Sequence, residues 1–288
     1  MKKVLIVLLS LNAYAEYPLE STFYSGFVCN QVMARENFYA INRGVKKVGV
    51  IMVDGNFNTG PWFVAAFKKK LSNNIYTFIN VDFGIEWKAQ LMIHSSIALN
   101  PVGDFTKYLN GDMWANFFVF NIGLGKEFEI NDKLKLSTSL SYFHDNVYRS
   151  ILFSNIERGD ADYKYVLYDY YNAPRLGLGA TYSTNGISTT GKFLYALSNF
   201  NVNLYRYNQC DQLQYNFPLA SSWKMSLSQD YEINECSKIG YELAWALKKA
   251  LKNGSVVLPA SETVFFDNFI PFLQTQYIFG LVTFSHSF

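Results

Sequence analysis

Hydrophobic and polar residues alternate along much of this chain with a period of two. From Phe118 to Leu124 the even positions are apolar, while the odd positions include Asn121 and Gly123. After a turn at residues 130–133 the alternation resumes from Leu134, with serines on the opposite face. A period of two predicts strands whose two sides have different surroundings. These strands exceed the five or six residues usual in soluble sheets and reach the roughly nine to eleven that a tilted strand needs to cross a bilayer.

The same alternation recurs at residues 22–32, 48–53, 62–70, 75–88, 90–98, 175–183, 188–197, 223–233, 239–247 and 276–288. These segments predict an all-β chain folded as a transmembrane antiparallel up-and-down β-barrel of about twelve strands. Ten to fourteen strands remain open, because residues 200–219 read either as one long loop or as two weak strands. Asn185-Gly186 predicts a tight hairpin turn, since both residues tolerate a positive φ.

Two further stretches, residues 149–172 and 254–268, lack clear alternation and predict long loops. In outer-membrane barrels, short periplasmic turns alternate with long external loops. With both termini in the periplasm, the turns at residues 131–132, 185–186 and 234–235 are expected inside. The two long loops are then expected outside.

The N-terminus has the three parts of a secretory signal peptide. Lys2 and Lys3 form a positive region, residues 4–11 form an apolar region, and Ala13-Tyr14-Ala15 forms a cleavage site. We therefore expect a signal peptide at residues 1–15 and a single barrel domain at 16–288. No later stretch approaches the roughly 18 apolar residues of a membrane helix. An exported chain of this kind is either soluble or inserted as a closed barrel.

The composition is consistent with strands at a membrane boundary. Aromatic residues make up 18% of the 288 residues and charged residues only 17%, and aromatic residues favour strands and membrane interfaces. The net charge of +2 creates no field that predicts a nucleic-acid partner. Cys29, Cys210 and Cys236 are too few for a disulfide scaffold and lack metal-ligand spacing, so we expect no metal and no cofactor. A Cys210–Cys236 bridge is a hypothesis that requires residues 200–219 to form two strands.

The last segment places Ile278, Val282, Phe284 and Phe288 on one side and ends on the aromatic Phe288. With this terminal residue, the cleavable signal and the long amphipathic strands, the chain resembles bacterial outer-membrane β-barrel proteins in architecture. The resemblance implies a location in the outer membrane of a Gram-negative envelope and contact with its lipid. It also implies that Phe284 and Phe288 form the signal that the barrel-assembly machinery recognises.

Twelve polar residues share the inward face of the predicted strands. They are Asn80, Asp82, Glu86, Lys88, Lys135, Arg175, Lys192, Lys224, Asp230, Glu232, Glu242 and Lys248. Such a lining either conducts water and small solutes or packs as paired charges that block passage. The leading hypothesis is a porin-like passive pore for small solutes. Because both signs are mixed, no ion selectivity is predicted.

A lipid hydrolase is the first alternative. His94 and Ser96 lie two residues apart, on one face of a strand, which permits activation of Ser by His. Outer-membrane phospholipase A has a similar His-x-Ser motif followed by Asn-Gly, whereas Ile97 and Ala98 follow here. The alternation that starts at Ile75 puts both residues on the polar side unless a bulge near residues 86–89 reverses it.

The second alternative is a surface adhesion or structural barrel that acts through its external loops. Other motifs are weaker signals. His144 and Asp145 are adjacent and point to opposite faces, so they make a poor metal or catalytic pair. The glycine pairs at residues 123/125 and 177/179 lie inside strands, where they relieve crowding more plausibly than they bind phosphate.

Overall fold

A computed structural model describes residues 19–42, 45–55, 58–72, 74–99, 104–154, 163–206, 211–252, 255–257 and 269–288. Side chains are described for residues 19–29, 59–72, 74–85, 114–150, 166, 168–203, 205, 214, 216–252 and 274–288. The predicted signal peptide lies outside these ranges. None of the described segments forms a helix long and apolar enough to cross a membrane.

The described chain is built from strands. They are β1 Leu19–Asn42, β2 Val45–Gly55, β3 Asn58–Lys70, β4 Ile75–Leu99, β5 Asp104–Glu129, β6 Leu134–Ser154, β7 Tyr163–Thr184, β8 Ile187–Arg206, β9 Asp211–Asn234, β10 Ser237–Ala250, β11 Ser255–Val257 and β12 Phe269–Ser287. All neighbouring strands pair antiparallel. Because β12 pairs with both β10 and β1, the sheet closes on itself as a barrel.

The wall of the barrel has ten strands, so the prediction of about twelve is wrong. β2 and β3 follow one another along the same two partners, β1 and β4, and form one strand of the wall. β10 and β11 likewise follow one another along β9. The predicted segments 75–88 and 90–98 are both parts of β4, whose register shifts by one residue between Glu86 and Ala89. A bulge of this kind interrupts the alternation without turning the chain.

The strands are longer than predicted, and one of the predicted long loops is largely strand. β6 continues to Ser154 and β7 begins at Tyr163, so most of residues 149–172 belongs to the wall. β8 continues to Arg206 and β9 begins at Asp211, so residues 200–206 and 211–219 belong to two strands, which is one of the two interpretations left open by the sequence. The 24 residues of β9, Asp211–Asn234, span roughly 80 Å. Asp211 and Cys236 therefore lie at opposite ends of the barrel. Cys29 and Cys236 carry free thiols, which speaks against the hypothesis of a Cys210–Cys236 bridge, and Cys210 itself lies outside the described residues.

The short turns and both ends of the described chain lie together at one end of the barrel. Asn185 and Gly186 have φ angles of 50° and 75°, which confirms the predicted tight hairpin turn. The Asn131 Oδ1 atom accepts hydrogen bonds of 2.9 Å from the backbone N–H groups of residues 133 and 134. The backbone N–H of Phe288 donates to the carbonyl of Leu19 at 3.0 Å. We call this the terminal end and the opposite end the far end.

The outward side chains near the terminal end form a continuous apolar belt. On β6 the outward positions Leu136, Leu140 and Tyr142 are exposed, and beyond them His144 and Asn146 are polar. On β5 the belt extends over residues 118–128, in which Lys126 is the one outward charged residue. This range spans roughly 33 Å along the strand and about 25 Å along the axis at a tilt near 40°. This height matches the apolar band of outer-membrane barrels, roughly 25 Å.

Beyond the belt, the strands continue for a comparable distance towards the far end. We call this part, which comprises residues 104–117, 143–154, 163–173, 199–206 and 211–217, the extension. In the described residues, the wall therefore continues beyond the belt on the side of the far end.

The position of the belt predicts that substitution by arginine destabilises the folded barrel by different amounts at two positions of β6. Leu140→Arg places a cation near the middle of the belt and should destabilise the folded barrel by about 2–4 kcal/mol, whereas Asn146→Arg in the extension should cost less than about 1 kcal/mol. Urea titration of refolding into lipid vesicles measures both. Equal costs at the two positions would contradict the assigned membrane boundary.

Candidate functional site

The interior of the belt contains a small cavity surrounded by charged and aromatic side chains. Its volume is about 100 Å³, and five of the predicted lumen residues line it: Asn80, Asp82, Arg175, Lys224 and Lys248. Asp145 also lines the cavity, although it was not among the twelve predicted lumen residues. At about 30 Å³ for each molecule, this volume holds only a few waters.

Four other predicted lumen residues, Lys135, Lys192, Asp230 and Glu232, do not line the cavity. Lys135 pairs with Glu129 at 2.8 Å near the terminal end, where both are largely exposed. Lys238 pairs with the predicted residue Glu232 at 3.3 Å, and the Thr283 hydroxyl donates to Asp230 at 2.9 Å. Lys192 is exposed. The side chains of Glu86 and Lys88 lie outside the described residues.

Ion pairs cross the interior around the cavity. The Lys248 Nζ atom lies 3.0 Å from the Asp145 carboxylate, and both side chains are at least nine-tenths buried. Lys224 lies 2.9 Å from Glu242. With Asp82 and Arg175, these residues are three acids and three bases, so the set has no net charge. Buried charges are tolerated when they are paired in this way.

A third buried pair, Arg149 with Asp169, lies further towards the far end. It joins β6 to β7 inside the extension. The interior is thus bridged by paired charges at more than one level.

Aromatic rings fill the space between the ion pairs. Trp62 contacts Phe117 and Phe279, with ring centroids 5.4 and 5.0 Å apart, and Phe117 contacts Tyr277 at 5.7 Å. A second group follows the wall from β6 to β9 through Phe143, Tyr171, Phe200 and Phe217, with centroid distances of 5.7–6.3 Å. We call these eight rings the aromatic tier.

Cations join the two aromatic groups. The Arg175 guanidinium lies 3.4 Å from the Phe143 ring centroid, Lys248 lies 4.5 Å from Phe200, and Lys224 lies 5.1 Å from Phe279. The Nε atom of Arg175 and the Oδ1 atom of Asn121 have no hydrogen-bond partner among the described residues. Both residues line the cavity. In the described part, the middle of the lumen is therefore filled by side chains.

Closer to the terminal end, many of the inward side chains are small or polar. They include Ser137, Ser139, Gly177, Gly179, Thr181 and Ser226, and they belong to β6, β7 and β9. Lys68 and Glu127 form a 2.5 Å ion pair here. A side chain at Gly125 would collide with the ring of Tyr76, so this glycine relieves crowding, as predicted for its pair.

The residues of the predicted hydrolase lie in β4 beyond its bulge. The backbone of His94 pairs with Tyr108 and that of Ser96 with Thr106, both even-numbered positions of β5. The one-residue shift between Glu86 and Ala89 thus changes the register as the sequence analysis anticipated. The side chains of His94 and Ser96 lie outside the described residues.

The two other histidines make local contacts. The His144 Nδ1 atom lies 2.5 Å from the Asn172 Oδ1 atom, and the His286 Nδ1 atom lies 3.0 Å from the Ser237 hydroxyl. Within the described part of the chain, no three His, Cys, Asp or Glu side chains cluster as a metal ion requires. The predicted assembly residues Phe284 and Phe288 are exposed on the outer wall.

A cluster of tyrosine rings that was not predicted from the sequence lies on the outer wall of the extension. Tyr148 lies 5.0 Å from Tyr168, which lies 5.5 Å from Tyr205 and stacks on Tyr170 at 6.4 Å. Outward amide side chains flank these rings at Asn146, Asn172, Asn201 and Asn203, and none of these eight side chains carries a charge. We call this set the tyrosine strip. Its signal was the two-residue spacing of Tyr168, Tyr170 and Asn172, hidden inside a presumed loop.

Comparisons with known proteins address the fold. No protein-family model and no curated protein matches the sequence. The outer membrane protease OmpT from Escherichia coli has a similar structure, with a TM-score of 0.66 over 96% of this chain and 99% of that chain, at 14% identity. This chain has the fold of bacterial outer-membrane β-barrels. The predicted resemblance in architecture is thereby confirmed, and the apolar belt is consistent with the predicted outer-membrane location.

Other similar structures are more distant. The translocator domain of the autotransporter NalP from Neisseria meningitidis has a TM-score of 0.41 at 10% identity, and covers 100% of this chain and 94% of that chain. The toluene transporter TbuX from Ralstonia pickettii has a TM-score of 0.38 at 9% identity, with 96% and 90% covered. At such identities the likeness concerns the fold and not the activity.

The Lys248–Asp145 pair can be tested by double-mutant analysis. Lys248→Met should destabilise the barrel by about 3–5 kcal/mol, because the Asp145 carboxylate is left buried without a partner. The double variant Lys248→Met/Asp145→Leu should recover most of this loss. Urea unfolding in detergent micelles measures the free energies. Additive effects of the two single substitutions would show that the side chains are not coupled.

Proposed function

We propose that this chain is a barrel with a closed lumen that acts at the cell surface by binding a partner through the wall of its extension. The observation that carries the proposal is the tyrosine strip beside a lumen filled by the aromatic tier. This is the surface-barrel alternative, with the wall in place of the loops as the binding element. The extension is placed at the cell surface because we expect the terminal end of the barrel to face the periplasm.

The chemistry of the tyrosine strip favours a neutral saccharide as the partner. Tyr rings offer flat apolar faces at low conformational cost, and Asn side chains offer both donors and acceptors. Sugar rings present complementary apolar faces and hydroxyl groups. A strip without charge has nothing with which to select a charged ligand.

Glycan binding provides the test of this proposal. Purified protein in lipid nanodiscs should bind members of an array of neutral oligosaccharides, and Tyr168→Ser should weaken the affinity at least about tenfold, because it removes the central ring. Tyr182→Ser, an exposed tyrosine at the other end of β7, is the matched control and should bind like the wild type. The absence of binding, or equal binding by Tyr168→Ser, would count against the proposal.

The second candidate is the pore for small solutes. The small polar residues near the terminal end support it, since they leave that half of the lumen open to water. Passage then requires displacement of the aromatic tier. A ten-stranded barrel is close to the eight-stranded size at which side chains fill the interior, which favours the closed state.

Planar-bilayer recording separates the two candidates. We expect no stepwise conductance from the wild type, whereas Trp62→Ala/Phe279→Ala should conduct, because two rings are removed from the tier. Phe118→Ala removes a lipid-facing ring next to Phe117 and should remain silent. Stepwise conductance of the wild type would instead establish the pore.

A further inference from the structure

A groove crosses the lipid-facing wall of β7, β8, β9, β10 and β12. Its volume is about 790 Å³, and its lining is almost entirely apolar. The groove follows two adjacent rows of cross-strand partners. One row is Leu178, Phe193, Met225, Trp245 and Ile278, and the other is Ala180, Gly191, Leu227, Leu243 and Gly280.

Small residues in the second row leave the groove open. A Cβ atom at Gly191 would meet no other heavy atom within 4 Å, and one at Gly280 would meet only the Leu243 Cδ2 atom at 4.0 Å. The packing of the barrel therefore does not require either glycine. Larger apolar residues occupy most other outward positions of the belt, and here their absence leaves a depression in the wall.

The groove descends from the far edge of the belt towards its middle. On β12, Ile278 is separated by one residue from the polar Gln276, which marks that edge. On β7, the outward positions Leu176 and Pro174 lie between Leu178 and the polar Asn172. Lys249 lies on the outward side of β10, four residues beyond Trp245 and paired with Gln274. The upper end of the groove therefore opens beside polar groups, and its lower end is buried in the hydrocarbon layer.

We propose that this groove binds one acyl chain of an outer-leaflet lipid. The groove is continuous with the lipid-contacting belt and apolar along its length. It runs in the direction that a lipid acyl chain would take if its head group lay at the far edge of the belt. Two rows of side chains span roughly 7 Å along a strand. This width suits a single acyl chain and is too small for a helix about 10 Å across. The proposal is independent of the proposed saccharide binding.

Lipid retention measures the occupancy of the groove. Delipidated protein is reconstituted with phosphatidylethanolamine that carries one palmitoyl and one oleoyl chain, transferred to mild detergent, and weighed by native mass spectrometry. We expect one retained lipid on the wild type and a loss of at least about tenfold in the lipid-bound fraction of Gly191→Leu and of Ala180→Leu. Ala65→Leu makes the same change on the lipid-facing side of β3, outside the groove, and should retain the lipid.

Each outcome decides the proposal. Circular dichroism and heat-modifiable gel migration establish that every variant is folded, and the open space at Gly191 favours this. Equal lipid retention by the wild type, Gly191→Leu and Ala180→Leu overturns the proposal. So does a wild-type dimer that Gly191→Leu dissociates, because the groove then accommodates a second copy of the chain.

Discussion

The closure of the sheet between its first and last strands is the constraint on which the rest of the structure depends. In a bilayer, an unpaired backbone N–H or C=O group costs several kcal/mol, so a sheet that crosses it can leave no free edge. β1 meets this requirement by pairing with β12 from Glu20–Ser287 to Asn37–Phe269. Closure divides the side chains into two sets with opposite surroundings. The outward set must suit lipid within the belt, and the inward set must fill a narrow, enclosed space.

Ten strands make that space narrow enough for side chains to fill it. The charges inside then have little water to solvate them, and they occur as close pairs of opposite sign, such as Lys248 with Asp145. Arg175 instead places its guanidinium on the ring of Phe143. The same side chains that satisfy the interior charges also obstruct the lumen. Because the lumen is obstructed, our proposals concern the outer wall of the barrel, where the tyrosine strip and the apolar groove lie.

Period-two alternation was sufficient to predict the barrel and the inward side of Asp82 and Lys248, and the residue types at Asn185-Gly186 were sufficient to predict the turn. It failed where the pattern changes phase. The bulge in β4 and the interruption between Gly55 and Asn58 each divided one strand into two predicted segments. The extension was misread for a different reason. There the amphipathic character reverses, because Phe143 points inward and Asn146 outward, the opposite of the belt.

A reversal of this kind cannot be recognised without knowing where the membrane ends, and that boundary emerges only when all strands are aligned. The pairing of Lys248 with Asp145 likewise could not be predicted from the sequence, because these residues lie 103 positions apart. Their strands are not neighbours in the wall, and their side chains meet only across the lumen. The tyrosine strip depends on the register of three strands for the same reason.

Closure through β1 and β12 can be measured directly by cross-linking. The hydroxyl groups of Thr22 and Ser285 lie 3.0 Å apart across this seam. In a variant with Cys29, Cys210 and Cys236 replaced by serine, Thr22→Cys and Ser285→Cys should form an intramolecular disulfide when the protein is oxidised in lipid vesicles. Mass mapping of the linked peptides should identify it. Free thiols, or disulfides only between molecules, would contradict a closed barrel.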